Sequence, residues 1–124
     1  MTKFFICKTC GNIIMLVNDN GGPLACCGTD MTYLEPNTVE ASTEKHLPDI
    51  TKTDNGLIIK VGSVLHPMEI AHYIDFIYVK TENGGHLINL KIGDDPEVEI
   101  NLENDEPIEV YAYCNLHGMW KTVC

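Results

Sequence analysis

The stretch Ile108-Glu109-Val110-Tyr111-Ala112-Tyr113-Cys114-Asn115-Leu116-His117-Gly118 joins an alternating apolar run to two metal-binding side chains. The run favours a strand, and the thiol and imidazole that follow are spaced so that both can bind one metal ion. Cys-x-x-His is equally compatible with a buried cysteine beside a structural histidine, because free cysteine is among the most buried residue types. The number and positions of the other histidines distinguish between a metal site and a structural pair.

Upstream of this stretch, alternation of apolar and polar residues predicts four further strands. With the opening run, the predicted strands are 57–61, 73–81, 87–92, 98–102 and 108–114. Turn sequences rich in Gly, Asn, Asp and Pro separate the later ones, as in Glu82-Asn83-Gly84-Gly85. One apolar and one polar face per strand is typical of antiparallel sheets, so we predict an all-β protein built on a small β-sandwich.

The first 36 residues differ from the rest, and we predict two domains, 1–36 and 37–124. Two short hairpin-like segments each present a cysteine pair beside a glycine. About 36 residues cannot bury enough apolar surface to fold unaided, so a metal cross-link is expected. Residues 39–54 show neither helical nor strand periodicity and are predicted to be linker and loop, and no helix of normal length is evident.

The cysteine spacing of this first segment is close to that of a four-cysteine metal site. Cys7 and Cys10 form a Cys-x-x-Cys pair, whereas Cys26 and Cys27 are adjacent, which should distort the site. Spacing alone leaves zinc and iron open, with a disulfide as a third alternative.

Charge and composition exclude several classes of partner. Eight lysines, no arginine and eighteen acidic residues give a net charge of −10, which argues against nucleic acid and an anionic membrane surface. No signal peptide and no run approaching the roughly 20 apolar residues of a membrane span are evident, so we predict a cytosolic protein without a membrane anchor.

Four histidines lie in predicted loops at or before strand edges. These are His46, His66, His72 and His117, while His86 behind the Gly84-Gly85 turn is interpreted as a surface residue. Together with Cys114 they form a plausible set of five metal donors. Zinc prefers four ligands, whereas five nitrogen and sulfur donors leave one octahedral position open, which suits iron acting on a small molecule.

These motifs resemble the desulfoferrodoxin family of two-iron superoxide reductases. The resemblance follows the whole chain in matching order: Cys7-x-x-Cys10, Cys26-Cys27, Glu44-Lys45-His46, His66-Pro67-Met68, His72-Tyr73-Ile74 and Cys114-Asn115-x-His117-Gly118. It departs from the family pattern at Phe76, where tryptophan is expected, and in the extra thiol of Cys124.

The resemblance implies a desulforedoxin-like domain followed by an immunoglobulin-like β-sandwich. Cys7, Cys10, Cys26 and Cys27 would bind a rubredoxin-like iron. The four histidines would be equatorial ligands, and Cys114 the axial ligand, of a second, catalytic iron that reduces superoxide to hydrogen peroxide. The family also implies rubredoxin as electron donor, an anaerobic or microaerophilic cell and a homodimer.

Two charged residues beside His46 complete the sequence-based hypothesis. Lys45 is adjacent to His46 and would attract superoxide and help to organise the water that supplies protons. Without the metal donors a surface lysine would be the favoured interpretation, and with them the functional interpretation is favoured. Glu44, by the resemblance, would close the open iron position in the ferric state. The competing class is a non-catalytic electron carrier or structural module that binds iron or zinc through the same cysteines.

Overall fold

The computed structural model describes residues 2–124, which form two compact units. The first unit ends at Glu35 and the second is Pro36–Cys124. Each unit carries its own sheets. Among residues 2–124, no helix is long and apolar enough to cross a membrane.

The first unit consists of short antiparallel strands that place cysteines at their turns. Its strands are β1 Lys3–Ile6, β2 Ile13–Leu16, β3 Ala25–Cys26, β4 Thr29–Asp30 and β5 Thr32–Tyr33. β1 lies between β2 and β5, and β3 pairs with β4. The two predicted hairpin-like segments are therefore confirmed: Cys7 and Cys10 lie in the β1–β2 connection, and Cys26 and Cys27 lie at the β3–β4 turn.

The second unit is a β-sandwich, as the alternation predicts. Its elements are α1 Thr43–His46, β6 Pro48–Lys52, β7 Gly56–Val61, β8 Ile74–Thr81, β9 Gly84–Asn89, β10 Glu97–Asn101, β11 Pro107–Cys114 and β12 Gly118–Val123. One sheet has the order β10-β7-β6 and the other β12-β11-β8-β9, with antiparallel neighbours throughout. The all-β fold class is confirmed.

The core lies between the two sheets and extends to the end where Cys114 is found. The core side chains of both sheets are Leu57, Ile59, Val61, Ile74, Ile77, Val79, Leu102, Val110, Ala112 and Cys114. The pairing of β8 with β11 shifts register at Asp75, between Ile74 and Phe76. Side chains of a regular strand alternate between its two faces, so Ile74 would point away from the core if Ile77 points into it. The register shift reverses this, and Ile74 is therefore buried beside Cys114.

Three sequence-based predictions are wrong in detail. Residues 39–54 are not all linker and loop, because they include α1 and β6. β6 is set by its pairing with β7 and has one partly buried apolar side chain, Ile50, within the strand, so it has no periodicity to detect. The strand predicted at 87–92 is β9, which begins earlier at Gly84 and ends at Asn89. β12 was not predicted, because buried Met119 and Trp120 are consecutive and break the alternation.

Candidate metal centres

Loops at one end of the sandwich bring the four histidines and Cys114 together. His46 is the last residue of α1, which is a helical turn where a loop was predicted. His66 follows β7, His72 precedes β8, Cys114 ends β11, and His117 lies in the turn before β12. In an antiparallel sheet one strand ends where its neighbour begins, so donors from distant parts of the chain meet at the same end of the sheet.

The four imidazoles form a closed ring in the order His46, His66, His72, His117. Neighbouring ring centroids are 4.5–5.1 Å apart and neighbouring ring planes are inclined by 73–87°. His46 and His72 lie across the ring from each other, with centroids 6.3 Å apart. The donor nitrogens therefore point towards a common centre, with each ring turned on edge to its neighbours.

Cys114 is fully buried and lies against this ring. Its Sγ is 3.4 Å from His66 Nε2 and 3.9 Å from His117 Nδ1. Burial raises the pKa of the Cys114 thiol, while hydrogen bonds from the backbone N–H groups of His117 and Leu116 act in the opposite direction. A thiolate in this buried position needs a nearby positive charge, which a metal ion would provide.

Hydrogen bonds to main-chain carbonyls and the ring of Trp120 fix the imidazoles of His46 and His66 and the backbone of His117. Nδ1 of His46 is 2.6 Å from the Ser42 carbonyl oxygen, and Nδ1 of His66 is 2.7 Å from the Pro67 carbonyl oxygen. When these nitrogens donate to the carbonyls, Nε2 of each ring keeps a free lone pair. Trp120 stacks on His46 at 4.9 Å, and its Nε1 donates to the His117 carbonyl at 3.1 Å.

The loop after β7 packs tightly against α1 and thereby links His46 to His66. The Glu44 carbonyl accepts hydrogen bonds from Val64 N at 3.0 Å and from Ser63 Oγ at 3.2 Å. A Cβ atom at Gly62 would lie 2.5 Å from the Glu44 carbonyl oxygen and 2.9 Å from that of Leu47. Only glycine permits this approach of the loop to the helical turn.

Burial favours the neutral form of His46, His66 and His72. Burial lowers the pKa of His66 to about 4, although a hydrogen bond to the Pro67 carbonyl acts in the opposite direction. Burial also lowers the pKa of His46 and of His72, and the positive charge of Lys45 contributes to both shifts. Neutral imidazole is the form that binds a metal ion.

The spacing of the donors fits a single metal ion. Two nitrogens bound at right angles with bonds of about 2.1 Å would be about 3.0 Å apart. His46 Nε2 lies 3.1 Å from His117 Nδ1 and 3.2 Å from His66 Nε2. His72 Nε2 is buried without a hydrogen-bond partner among residues 2–124, as expected for a nitrogen whose partner is a metal.

The donor atoms of Cys7, Cys10, Cys26 and Cys27 form a second group, all within 4.8 Å of one another. Cys26 Sγ lies 3.6 Å from Cys10 Sγ and 3.9 Å from Cys27 Sγ. Two sulfurs bound tetrahedrally with bonds of about 2.3 Å would be about 3.8 Å apart, so these distances fit a tetrahedral ion.

The adjacent cysteines require an unusual backbone conformation. Cys27 has φ 54°, a left-handed conformation that is uncommon for a residue with a side chain, and Gly28 follows with φ 75°.

The backbone N–H of Cys10 lowers the pKa of the Cys7 thiol to about 6, although burial acts in the opposite direction. All six cysteines of the chain are free thiols.

The other predicted residues lie on the surface. Glu44 and Lys45 are exposed on α1. The donor atoms of His46, His72, Cys114 and His117 lie within 4.8 Å of one another, and the Glu44 carboxylate does not belong to this group. His86 and Cys124 are also exposed. Sequence reasoning did not assign roles to Trp120 or Asn115. Both lie within three residues of a proposed donor, which is the signal that could have identified them.

Comparison with known families identifies the chain. The family model described as desulfoferrodoxin matches residues 38–123, and that described as the desulfoferrodoxin N-terminal domain matches residues 2–34. The chain belongs to the desulfoferrodoxin family. The resemblance noted in the sequence is therefore confirmed.

Individual desulfoferrodoxins and solved structures agree with this assignment. The desulfoferrodoxin of Syntrophotalea carbinolica is 45% identical over 97% of this chain and 94% of its own length. The crystal structure of the superoxide reductase from Treponema pallidum matches with a TM-score of 0.83 at 31% identity, covering 98% of this chain and 97% of its own. The one-iron superoxide reductase from Giardia intestinalis matches at 26% identity with a TM-score of 0.53, covering 66% of this chain and 98% of its own.

The two donor sets correspond to the two iron centres of a desulfoferrodoxin. One set contains four cysteines, and the other contains four histidines and one cysteine. The chemistry of the second set favours iron over zinc, because a fifth strong donor is surplus for zinc. The predicted iron cofactors are therefore supported by the family, the fold and the donor geometry together.

Proposed function

We propose that this protein is a superoxide reductase with one catalytic and one rubredoxin-like iron. The observation that carries the proposal is the closed ring of four imidazoles with the Cys114 thiol against it. The similarity to the superoxide reductase from Treponema pallidum over nearly the whole chain supports the same activity.

The proposed ligands of the catalytic iron are the four ring histidines and Cys114. His46, His66 and His72 would bind through Nε2 and His117 through Nδ1, since these are the nitrogens that face one another or lack another partner. Cys7, Cys10, Cys26 and Cys27 would hold the second iron. Bound ferrous iron would supply the electron for the reaction.

In the proposed reaction superoxide takes up one electron and two protons and becomes hydrogen peroxide. The four imidazoles and the buried Cys114 thiolate would hold the iron, and the thiolate would make it more electron-rich for the reduction of superoxide. The carbonyls of Ser42 and Pro67 keep the protons of His46 and His66 on Nδ1, away from the reacting side. The protein therefore fixes the site before substrate arrives.

We propose that Lys45 provides the local positive charge for an anionic substrate. Its charge contributes to lowering the pKa of His46 and His72, which supports an effect at the site. At physiological salt the Debye length is about 8 Å, so a nearby lysine can outweigh distant acidic residues in a chain of charge −10. Lys45 would also orient the water that donates protons.

We also propose that Glu44 closes the open side when the iron is ferric and withdraws on reduction. Its carboxylate is exposed two residues before His46, so it is free to rearrange.

We further propose two functional domains, residues 1–36 and 37–124, and a homodimer. Rubredoxin or a similar protein would be the electron donor. The location would be the cytoplasm of an anaerobic or microaerophilic cell.

The competing function is a non-catalytic iron- or zinc-binding electron carrier or structural module. Metal analysis of the purified protein together with its visible spectrum distinguishes the two. We expect two irons per chain with two separate sets of absorption bands, because the two donor sets differ. Zinc at the histidine–cysteine site, which would be colourless, would contradict the proposal.

A further inference from the structure

We propose that Asn115 is a positioning residue that fixes His72 in the ring of donors. This inference rests on the proposed function, because it concerns the same iron site. Asn115 lies between Cys114 and His117 in sequence, yet its polar groups bond to the chain on either side of His72.

Three hydrogen bonds connect Asn115 to residues that flank His72. Its backbone N–H donates to the Tyr73 carbonyl at 3.2 Å, and its Oδ1 accepts from the Tyr73 N–H at 2.8 Å. Its Nδ2 donates to the Ala71 carbonyl at 3.0 Å. One asparagine thereby holds the backbone both before and after His72.

The backbone of His72 itself is held from another direction. Its N–H donates to the Glu69 carbonyl at 3.1 Å and its carbonyl accepts from the Glu69 N–H at 2.9 Å. The short bridge to Glu69 therefore fixes the loop to itself, whereas the bonds from Asn115 fix it to the segment that carries Cys114 and His117.

His72 depends on such main-chain support. The rings of His46 and His66 are oriented by carbonyl oxygens next to Nδ1, whereas Nδ1 of His72 makes no hydrogen bond to any of the described residues. Its position relative to the other donors is therefore set by its backbone, and Asn115 connects that backbone to two of those donors. Groups that orient metal ligands typically change metal affinity by about 10–100-fold when removed.

The matched control is Asn37, which makes a similar pair of side-chain bonds. Its Nδ2 donates to the Lys121 carbonyl at 3.0 Å and its Oδ1 accepts from the Lys121 N–H at 2.8 Å. Replacement of either asparagine by alanine removes two side-chain bonds to the main chain. Only Asn115 bonds to residues that flank a proposed metal ligand.

The test is Co²⁺ titration of metal-free full-length protein, followed through the visible cobalt bands of each site. We expect Asn115→Ala to weaken binding at the histidine–cysteine site about 10–100-fold and to shift its bands, with the four-cysteine site unchanged. Asn37→Ala should bind as the parent does. Asn115→Asp keeps an acceptor for the Tyr73 N–H but places a carboxylate oxygen against the Ala71 carbonyl, so it should also weaken binding at the histidine–cysteine site and leave the four-cysteine site unchanged.

Equal affinity and equal bands in Asn115→Ala and the parent would overturn the inference, as would an equal loss in Asn37→Ala. If circular dichroism shows that Asn115→Ala is unfolded, the cobalt affinity and cobalt bands of Asn115→Asp are compared with those of the parent instead. A parent protein that binds no cobalt at the histidine–cysteine site would instead contradict the proposed function.

Discussion

Cys114 is the donor whose chemistry differs most from the others in its site. It is fully buried, burial raises the pKa of its thiol, and two backbone N–H groups reach its sulfur. The free energy needed to form a buried thiolate must come mainly from the metal, because burial disfavours the charged form of the thiol. Its removal should therefore change the electronic structure of the site more than removal of a histidine.

We predict that Cys114→Ser abolishes the sulfur-to-iron absorption of the oxidised catalytic iron and leaves the bands of the four-cysteine iron unchanged. Serine retains the shape of the side chain but does not supply a thiolate. Visible spectroscopy of the oxidised protein measures this, with Cys124→Ser as the control because Cys124 is an exposed thiol outside both donor groups. Retention of all bands in Cys114→Ser would show that Cys114 is not a ligand.

Lys45 should act through its charge. We predict that Lys45→Ile lowers the second-order rate constant with superoxide by about tenfold at low salt, and that the difference narrows as salt is added. Lys52→Ile, which changes an exposed lysine at the end of β6 away from His46, is the control. Rapid mixing with superoxide at several ionic strengths measures both, and identical rates for Lys45→Ile and the parent would refute a steering role.

Glu44 should affect the oxidised protein alone. We predict that Glu44→Ala changes the visible spectrum of the ferric site and its dependence on pH, because water or hydroxide would replace the carboxylate. A pH titration of the oxidised protein checks this, with Glu82→Ala as the control because Glu82 is exposed in the turn between β8 and β9, at the opposite end of β8 from His72. A ferric spectrum that is the same as in the parent at every pH would disprove the proposed role of Glu44.

At the scale of elements, the loop after β7 and the helical turn α1 act as a unit because Gly62 lets them touch. We predict that Gly62→Ala destabilises the second unit by about 1–3 kcal/mol, since its Cβ would overlap the Glu44 and Leu47 carbonyls. It should also weaken metal binding by displacing His46. Denaturant unfolding and cobalt titration measure the two effects.

Gly22→Ala is the control for this prediction, because a Cβ there would meet nothing within 4 Å. It should leave stability and metal binding unchanged. A Gly62→Ala protein as stable as the control would show that the loop can move away from α1 without cost.

The elements also show how far sequence reasoning reaches. β7, β8, β10 and β11 were predictable because their apolar residues alternate, and the donor types were predictable because cysteine and histidine stand out in any position. α1 and β6 depend on contacts with the β7 strand and the loop that follows it, and β12 buries consecutive residues, so local periodicity gives no signal for them. The roles of Asn115 and Trp120 depend on which loops meet, and only the fold reveals that.

At the scale of the whole molecule, each of the two compact units contains one complete donor set. Under the proposed function, the four-cysteine iron would hold an electron and the iron at the histidine–cysteine site would react with superoxide. The central claim is that the second site reduces superoxide and does not dismutate it. The two reactions differ in stoichiometry. Reduction takes one electron from the protein for each superoxide and forms one hydrogen peroxide, whereas dismutation takes none and converts half of the superoxide to oxygen.

The most direct test is to mix reduced protein in excess with a known amount of superoxide and measure hydrogen peroxide and oxygen. The account predicts one hydrogen peroxide per superoxide, no released oxygen and one oxidised iron for each peroxide formed. Half as much peroxide, accompanied by oxygen and without oxidation of the iron, would contradict it.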